Sequence, residues 1–198
     1  VQSLVGSEMC IRDRPTTEPN PKMVQQASSL IKKSKKPILY VGGGIIHSKA
    51  NNELFELATK FNIPVVTTLM GRGAFPDGHE LCLEMPGMHG NYTATTSIQN
   101  ADLLIAIGVR FDDRVTANPS FFAQNAKVIH ADIDPAEIGK VRDAQVPIVG
   151  DAKSVIKGLI EALGDEKLDT ENWVSELKEM KTEFPVSYTH LRAHETLD

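Results

Sequence analysis

Short apolar runs alternate with amphipathic segments along this chain, and that alternation limits the fold more than any other feature. The runs at residues 37–41, 103–107 and 127–133 have the length of buried strands. Segments with apolar residues at helical spacing lie between them, at about 25 residues per strand–helix unit. Strands that alternate with helices build a parallel sheet with right-handed crossovers. The predicted fold class is therefore α/β, a Rossmann-like parallel sheet with helices on both faces.

The same patterns give the individual elements. Residues 70–90 form a long glycine-rich loop, and loops of that length inside a compact domain usually have a function. Asp151 is expected to be the N-cap of the helix that follows it. Helices are predicted at residues 22–33, 48–61, 92–100, 151–163 and 171–183, and strands at 37–41, 64–69, 103–107, 127–133 and 146–149.

The two ends of the chain are related to each other at the nucleotide level. Residues 4–14 and 186–196 can be back-translated into strings that are reverse complements over nearly their whole length. A sequencing adaptor read from both sides produces this relation, and the strings resemble a transposase mosaic-end adaptor. We therefore expect residues 1–14 and 186–198 to be non-native, adaptor-derived tails that take no part in the fold.

Composition excludes several classes of function. The formal net charge of −5 argues against binding to nucleic acid or to an anionic membrane surface. No apolar run is long enough to cross a membrane. Of the two cysteines, Cys10 lies in a predicted tail, so Cys82 has no native partner and no disulfide framework is expected. We expect a cytoplasmic protein, or a plastid protein if the source is a plant.

Glycines and charged residues follow the predicted strands, where parallel sheets bind nucleotides. Residues 42–44 can present backbone N–H groups to an anion at a helix start, although a flexible turn explains them as well. Thr68 lies at the carboxyl end of the next predicted strand, where β-propensity alone would also favour threonine. Gly108 lets backbone approach a ligand, and the arginines at 110 and 114 suit phosphate. The alternative for that last segment is a local cluster of ion pairs with its two aspartates.

Acidic residues end the last two predicted strands. Asp132 can accept hydrogen bonds from ribose hydroxyl groups, but an Asp-Pro turn explains it too. Gly150 and Asp151 repeat the arrangement, with helix capping as the alternative. In the long loop, Met88 suits a flat aromatic ligand, whereas a loop histidine such as His89 is more often a surface hydrogen-bonding residue. The chain carries no catalytic triad, C-x-x-C, H-E-x-x-H or Walker motif, so these sites are interpreted as binding sites, with no catalytic residue and no metal ligand.

Five segments recur in this order in one family: residues 40–44 (YVGGG), 67–73 (TTLMGRG), 87–91 (GMHGN), 108–116 (GVRFDDRVT) and 132–138 (DIDPAEI). On these residues the chain resembles the central domain of the catalytic large subunit of acetolactate synthases, also called acetohydroxyacid synthases. RFDDRVT is the most specific of them, and the resemblance covers residues 15–185. It implies a transferase that uses thiamine diphosphate and Mg²⁺ through domains outside this chain. Such an enzyme condenses pyruvate with pyruvate or 2-oxobutanoate in the biosynthesis of isoleucine, valine and the other branched-chain amino acids.

The resemblance also implies how this chain takes part. Residues 15–164 would be a central domain that binds FAD without a net redox role, and residues 165–185 a linker and helix leading to a missing C-terminal domain. Met88, Asp113 and Arg114 would line the substrate channel, and the fragment alone is expected to be inactive. The expected cofactor-binding residues are Gly42, Gly43, Gly44, Thr68, Leu69, Met88, His89, Gly90, Gly108, Arg110, Arg114, Val115, Asp132, Ile133, Glu137, Gly150 and Asp151.

The resemblance also implies an oligomeric assembly, and the chain departs from the family pattern at two positions. The full catalytic subunits would form a homodimer or tetramer, which a small regulatory subunit can join. Glu84 stands where the family pattern leads us to expect glycine, and Ala117 where glycine is common. Two alternatives stay open: the central domain of another thiamine-diphosphate enzyme, of the glyoxylate carboligase or pyruvate oxidase type, and a stand-alone NAD-type nucleotide-binding module.

Overall fold

A five-stranded, entirely parallel sheet forms the centre of the protein. The structure is a computed structural model that describes residues 17–185, so both predicted tails lie outside the described residues. The strand order is β2-β1-β3-β4-β5, and the predicted α/β class is confirmed. The strands are β1 (Pro37–Val41), β2 (Val65–Thr67), β3 (Leu103–Ile107), β4 (Lys127–Asp132) and β5 (Val146–Val149).

Helices cover both faces of the sheet. On one face, α1, α3 and α6 pack against side chains such as Leu39 and Ile105, and on the other α4 and α7 pack against Tyr40 and Leu104. Because successive strand residues point to opposite faces, β1 to β4 contribute to both cores, whereas the buried residues of β5, Val146 and Ile148, lie in the first core only. The helices are α1 (Pro21–Lys33), α2 (Gly43–His47), α3 (Asn51–Lys60), α4 (Tyr92–Asn100), α5 (Asp113–Thr116), α6 (Ala152–Leu163) and α7 (Glu171–Glu183).

Helix α7, which we predicted to lead out of the domain, packs on it. Trp173 is buried, and its indole N–H donates to the Pro37 carbonyl oxygen at 3.2 Å. The Lys36 ammonium lies 4.7 Å from the centre of the same indole ring, a cation–π distance. These contacts tie the last described helix to the start of β1.

Several predicted boundaries were wrong, and each error has a local cause. The predicted helix 48–61 starts only at Asn51, because Lys49 has a left-handed φ of 54° that separates it from α2. The predicted strand 64–69 ends at Thr67, because Thr68 caps a 3₁₀ turn, Leu69–Gly71. Strand β4 ends one residue before Ile133, which is half exposed. The short helices α2 and α5 were not predicted.

Part of the long loop lies along β2 as extended chain. The Val65 N–H donates to the Leu81 carbonyl, the Leu83 N–H donates to the Val65 carbonyl, and both distances are 2.8 Å. These bonds form a parallel bridge between Val65 and Cys82. The loop therefore protects the edge of the sheet at β2. Within residues 17–185, no helix has both the length and the apolar character needed to span a membrane.

Candidate functional site

The strand order reverses between β1 and β3, and this reversal locates the candidate site. The connection after β1 leads through Ile45 and α3 to one face of the sheet, whereas the connection after β3 places Phe111 and Phe122 on the other face. In open α/β sheets such a switch point leaves a crevice outside the carboxyl ends of the strands, where ligands bind. Because all five strands are parallel, every predicted strand-end segment lies at this same edge of the sheet.

Glycines allow the two loops at the switch point to pack backbone against backbone. A Cβ atom on Gly42 would lie 2.3 Å from the Gly108 carbonyl oxygen, and one on Gly44 would lie 2.6 Å from the Gly108 Cα. Gly108 has a left-handed φ of 61°, and the Gly44 N–H donates to its carbonyl at 3.3 Å. Close packing of these two loops thus requires glycine at positions 42, 44 and 108.

Two arginines follow this crossing without ion-pair partners. Arg110 and Arg114 are exposed, and within residues 17–185 neither guanidinium lies within ion-pair distance of a carboxylate. Asp112 instead caps α5, with its Oδ1 accepting from the Arg114 backbone N–H at 3.0 Å. That N–H, together with the positive charges of Arg114 and Arg110, lowers the pKa of the Asp112 carboxyl. The predicted alternative, a cluster of direct ion pairs, is therefore wrong.

The tip of the long loop rests on α5. A Cβ atom on Gly87 would lie 2.9 Å from the Arg114 carbonyl oxygen, and the Met88 N–H donates to that oxygen at 3.5 Å. The Met88 side chain is 79% exposed, and the neighbouring His89 is exposed as well. The structure thus brings Gly87 and Met88 beside Arg114 and the half-buried Val115.

Exposed apolar side chains lie where β2 ends. The Thr68 hydroxyl accepts from the Gly71 N–H at 3.1 Å and holds the 3₁₀ turn, which leaves Leu69 69% and Met70 70% exposed. A Cβ atom on Gly43 would be in van der Waals contact with the Met70 Cβ at 3.4 Å. Exposed apolar side chains grouped at a strand-end crevice are typical of a ligand site. Sequence reasoning missed Met70, although it directly follows Leu69.

A cavity of about 630 Å³ opens next to this turn. Three expected site residues line it, namely Leu69, His89 and Gly90. Gly90 has a structural role as well, because a Cβ atom there would lie 2.2 Å from the Met85 carbonyl oxygen. The cavity is also lined by residues that sequence reasoning did not select: Arg72, Glu84, Met85, Asn91, Tyr92, Glu183, Phe184 and Pro185.

The acidic side chains at the end of β4 and just after it mostly form contacts within the chain. The Asp132 Oδ1 accepts from the Asp134 N–H at 2.9 Å, which is the turn offered as the alternative. The other carboxylate oxygen of Asp132 has no partner within residues 17–185 and can accept from a ligand. Glu137 forms an ion pair with Lys140 at 3.1 Å. Ile133 extends past the strand toward solvent.

At the end of β5, Asp151 caps the next helix and Gly150 packs against the incoming chain. Asp151 accepts from the N–H groups of Lys153 and Ser154 at the start of α6, and its own N–H donates to the Thr17 carbonyl at 2.8 Å. Gly150 is buried, and a Cβ atom there would lie 3.2 Å from Pro19. The incoming segment 17–19 therefore covers this strand end. Within the described part of the chain, no group of three His, Cys, Asp or Glu side chains could hold a metal ion.

Comparison with known proteins gives the family. The family model described as thiamine pyrophosphate enzyme, central domain, matches residues 24–159. The chain belongs to this family. A similar protein is the acetolactate synthase large subunit of Corynebacterium glutamicum, 53% identical over 178 residues, which are 88% of this chain and 28% of that subunit. The acetolactate synthase large subunit of Mycobacterium tuberculosis is 52% identical over 179 residues, 88% of this chain and 29% of that protein.

The similarity extends to archaea. The probable acetolactate synthase large subunit of Methanocaldococcus jannaschii is 49% identical over 169 residues, 85% of this chain and 29% of that protein. These relatives confirm the resemblance to acetolactate synthase catalytic subunits, thiamine pyrophosphate enzymes, that the five motifs indicated. The chain spans less than a third of the length of these curated relatives.

Proposed function

We propose that this thiamine pyrophosphate enzyme central domain binds FAD and is part of an acetolactate synthase large subunit. The whole protein would condense pyruvate with pyruvate or 2-oxobutanoate in isoleucine and valine biosynthesis. It would act in the cytoplasm as a homodimer or tetramer that a small regulatory subunit can join. The observation that carries the proposal is the identity of 49–53% to acetolactate synthase large subunits across 85–88% of this chain.

The residues at the switch point fit a flavin dinucleotide. FAD is long, carries negative charge in its centre and ends in a flat ring system. The exposed Arg110, which lacks an ion-pair partner within residues 17–185, suits the pyrophosphate. The glycine crossing between β1 and β3 brings the two loops together, backbone against backbone, at the crevice where the cofactor would bind. Leu69, Met70 and Met88 offer exposed apolar surface on the α2 and α5 side of the crevice, and thioethers contact ring systems favourably.

Each residue then has a role that follows from its position. Arg110 would hold the pyrophosphate, and Leu69 and Met88 would contact the flavin ring. The unbonded oxygen of Asp132 would accept a hydrogen bond from a ribose hydroxyl group. Met88 together with Asp113 and Arg114 would border the substrate channel. Thiamine diphosphate supplies the carbanion stabilisation, with Mg²⁺, in parts of the whole enzyme that this chain does not include.

Titration of the chain with FAD, followed by the quenching of flavin fluorescence, tests the cofactor assignment. Loss of one charge-assisted contact in Arg110→Ala should raise the Kd by about tenfold. Lys33→Ala, at an exposed lysine in the last turn of α1, is the control and should leave the Kd unchanged. Tight binding of NAD with no binding of FAD would instead identify the stand-alone NAD-type module.

A chimera tests the enzyme assignment. Residues 17–185 replace the matching segment of the Corynebacterium glutamicum large subunit, and acetolactate formation from pyruvate is measured. We expect the chimera to be active and this chain alone, supplied with thiamine diphosphate and Mg²⁺, to be inactive. A chimera that fails with pyruvate but consumes glyoxylate would favour the glyoxylate carboligase alternative, and pyruvate turnover by this chain alone would contradict its expected inactivity.

A further inference from the structure

Phe111 faces inward between two exposed charged residues. Its side chain is 2% exposed, whereas Arg110 and Asp112 on either side are exposed. The Phe111 backbone has a left-handed φ of 53°, which is unfavourable for a residue with a bulky side chain. Such strain persists only where surrounding contacts fix it, and it is concentrated at functional sites. The question is therefore what holds Phe111 in place.

The Phe111 ring packs against two aromatic side chains of the sheet. Tyr40, Ala106 and His130 are consecutive partners in register across β1, β3 and β4. The small Ala106 leaves room between two rings. The Phe111 ring centre lies 5.7 Å from that of Tyr40 and 4.9 Å from that of His130, nearly perpendicular to the imidazole at 87°. The contact with His130 is edge-to-face and the contact with Tyr40 is tilted at 49°. Such aromatic pairs are favourable, so they fix the loop on the C-terminal side of Arg110.

His130 fixes the same loop on the N-terminal side of Arg110. Its side chain is fully buried, and Nε2 lies 2.8 Å from the Val109 carbonyl oxygen. Because a carbonyl only accepts, Nε2 carries the hydrogen. Nδ1 is buried and has no partner among the described residues, which is unfavourable. Packing alone would be served better by an apolar side chain, so the single bond to Val109 is what the imidazole contributes here.

We propose that His130 and Phe111 are positioning residues that hold Arg110 at the switch point, ready for the FAD pyrophosphate. The loop is attached at the carbonyl immediately before Arg110 and at the ring immediately after it. The arginine backbone therefore has little freedom, while its side chain stays in solvent without an ion-pair partner within residues 17–185. This inference rests on the proposed FAD binding for its purpose, but the attachment of the loop can be tested without FAD.

Limited trypsin digestion of the native chain measures how often the loop around Arg110 opens. Cleavage after Arg110 and Arg114 is quantified by mass spectrometry relative to cleavage after Lys157, an exposed residue of α6. Phe111→Leu and His130→Leu should each raise this ratio about tenfold, because each removes one attachment of the loop. His130→Gln keeps an N–H donor and should stay close to the unmodified chain. Phe61→Leu, at a buried phenylalanine in the opposite core, should leave the ratio unchanged.

FAD titration of the same variants supplies the second measurement. Phe111→Leu and His130→Leu should raise the Kd for FAD about tenfold, as loss of the Arg110 contact would. Phe61→Leu should leave the Kd unchanged, even where it lowers the melting temperature by a comparable amount. Unchanged cleavage ratios in both loop variants overturn the positioning role. Raised ratios with an unchanged Kd overturn its link to the cofactor. If the unmodified chain binds no FAD, the proposed cofactor fails, and the cleavage ratios still decide whether these residues hold the loop.

Discussion

The backbone contact between the two switch-point loops predicts a graded series of glycine-to-alanine effects. At Gly78 an added Cβ atom would meet no atom within 4 Å, and the backbone is not left-handed. At Gly139 an added Cβ atom would also meet no atom within 4 Å, but the backbone has a left-handed φ of 76°. At Gly42 an added Cβ atom would lie 2.3 Å from the Gly108 carbonyl oxygen, but the backbone is not left-handed. At Gly108 an added Cβ atom would lie 2.6 Å from the Gly44 Cα, and the backbone also has a left-handed φ of 61°. The four substitutions therefore separate steric overlap from backbone strain.

The magnitudes follow from these two components. Alanine at left-handed φ costs about 1 kcal/mol or somewhat more, and overlap with backbone costs about 1–3 kcal/mol. Gly139→Ala should therefore lower the free energy of unfolding by about 1 kcal/mol and Gly42→Ala by about 1–3 kcal/mol. Gly108→Ala should lower it by roughly 2–4 kcal/mol, since independent effects add. Gly78→Ala should be neutral or slightly stabilising, because alanine restricts the unfolded chain.

Urea unfolding followed by circular dichroism measures the series, and thermal unfolding provides a second scale. In a domain of this size Gly108→Ala should lower the melting temperature by roughly 4–16 °C. Equal stability of Gly42→Ala and Gly78→Ala would refute the reasoning, because it would mean that the β1 and β3 loops do not touch at Gly42. Equal effects of Gly139→Ala and Gly108→Ala would show that only the φ angle matters at position 108.

Three further predictions concern single residues. Ala117 has φ 49° and ψ −103°, so Ala117→Gly should raise the free energy of unfolding in urea by about 1 kcal/mol. Asp151→Ala should lower it by about 1 kcal/mol while Asp151→Asn largely preserves it, and neither should change FAD affinity if Asp151 only caps α6. Burial lowers the pKa of His130 below its ordinary value of 6.5, so the unfolded state binds the proton first. The contribution of the neutral His130 to the free energy of unfolding should be fully present above pH 6.5 and should be lost as the pH drops through 6.5 toward the lower folded pKa. His130→Gln should weaken this pH dependence in unfolding measurements from pH 8 to pH 5.

Sequence reasoning predicted the elements whose signal is local. Strands β1, β3 and β5 and helices α4 and α7 have the predicted bounds, because continuous apolar runs and helical spacing identify them without tertiary information. The short helices α2 and α5 carry no such signal. Helix α2 begins with two glycines, which are poor helix formers, and forms where Gly44 meets Gly108 and Ile45 enters the core. Extended pairing between Val65 and the long loop also depends on contacts far apart in sequence.

The candidate site was predictable to the extent that residue type decides the role. Arginine after a strand-end glycine indicated anion binding, and Arg110 is exposed in the structure. Aspartate was ambiguous, because the same carboxylate can cap a backbone or bind a ribose. Asp151 proved to be a cap, and one oxygen of Asp132 closes a turn. Phe111 lies in the RFDDRVT motif, but neither Phe111 nor His130 was selected as a site residue. The role proposed for them depends on the register that places Tyr40, Ala106 and His130 in one row.

The two departures from the family pattern both lie at positions where this chain has a left-handed backbone. Glu84 and Ala117, where glycine was expected, both have left-handed φ values, of 66° and 49°. At Glu84 the backbone is fixed by β2, since its carbonyl accepts from the Thr67 N–H at 2.9 Å. At Ala117 it is fixed by the end of α5, since its N–H donates to the Asp113 carbonyl at 2.7 Å. The hydrogen bonds of neighbouring elements thus impose the conformation and the side chains accept the strain, so a missing glycine in a motif is weak grounds for doubting the fold.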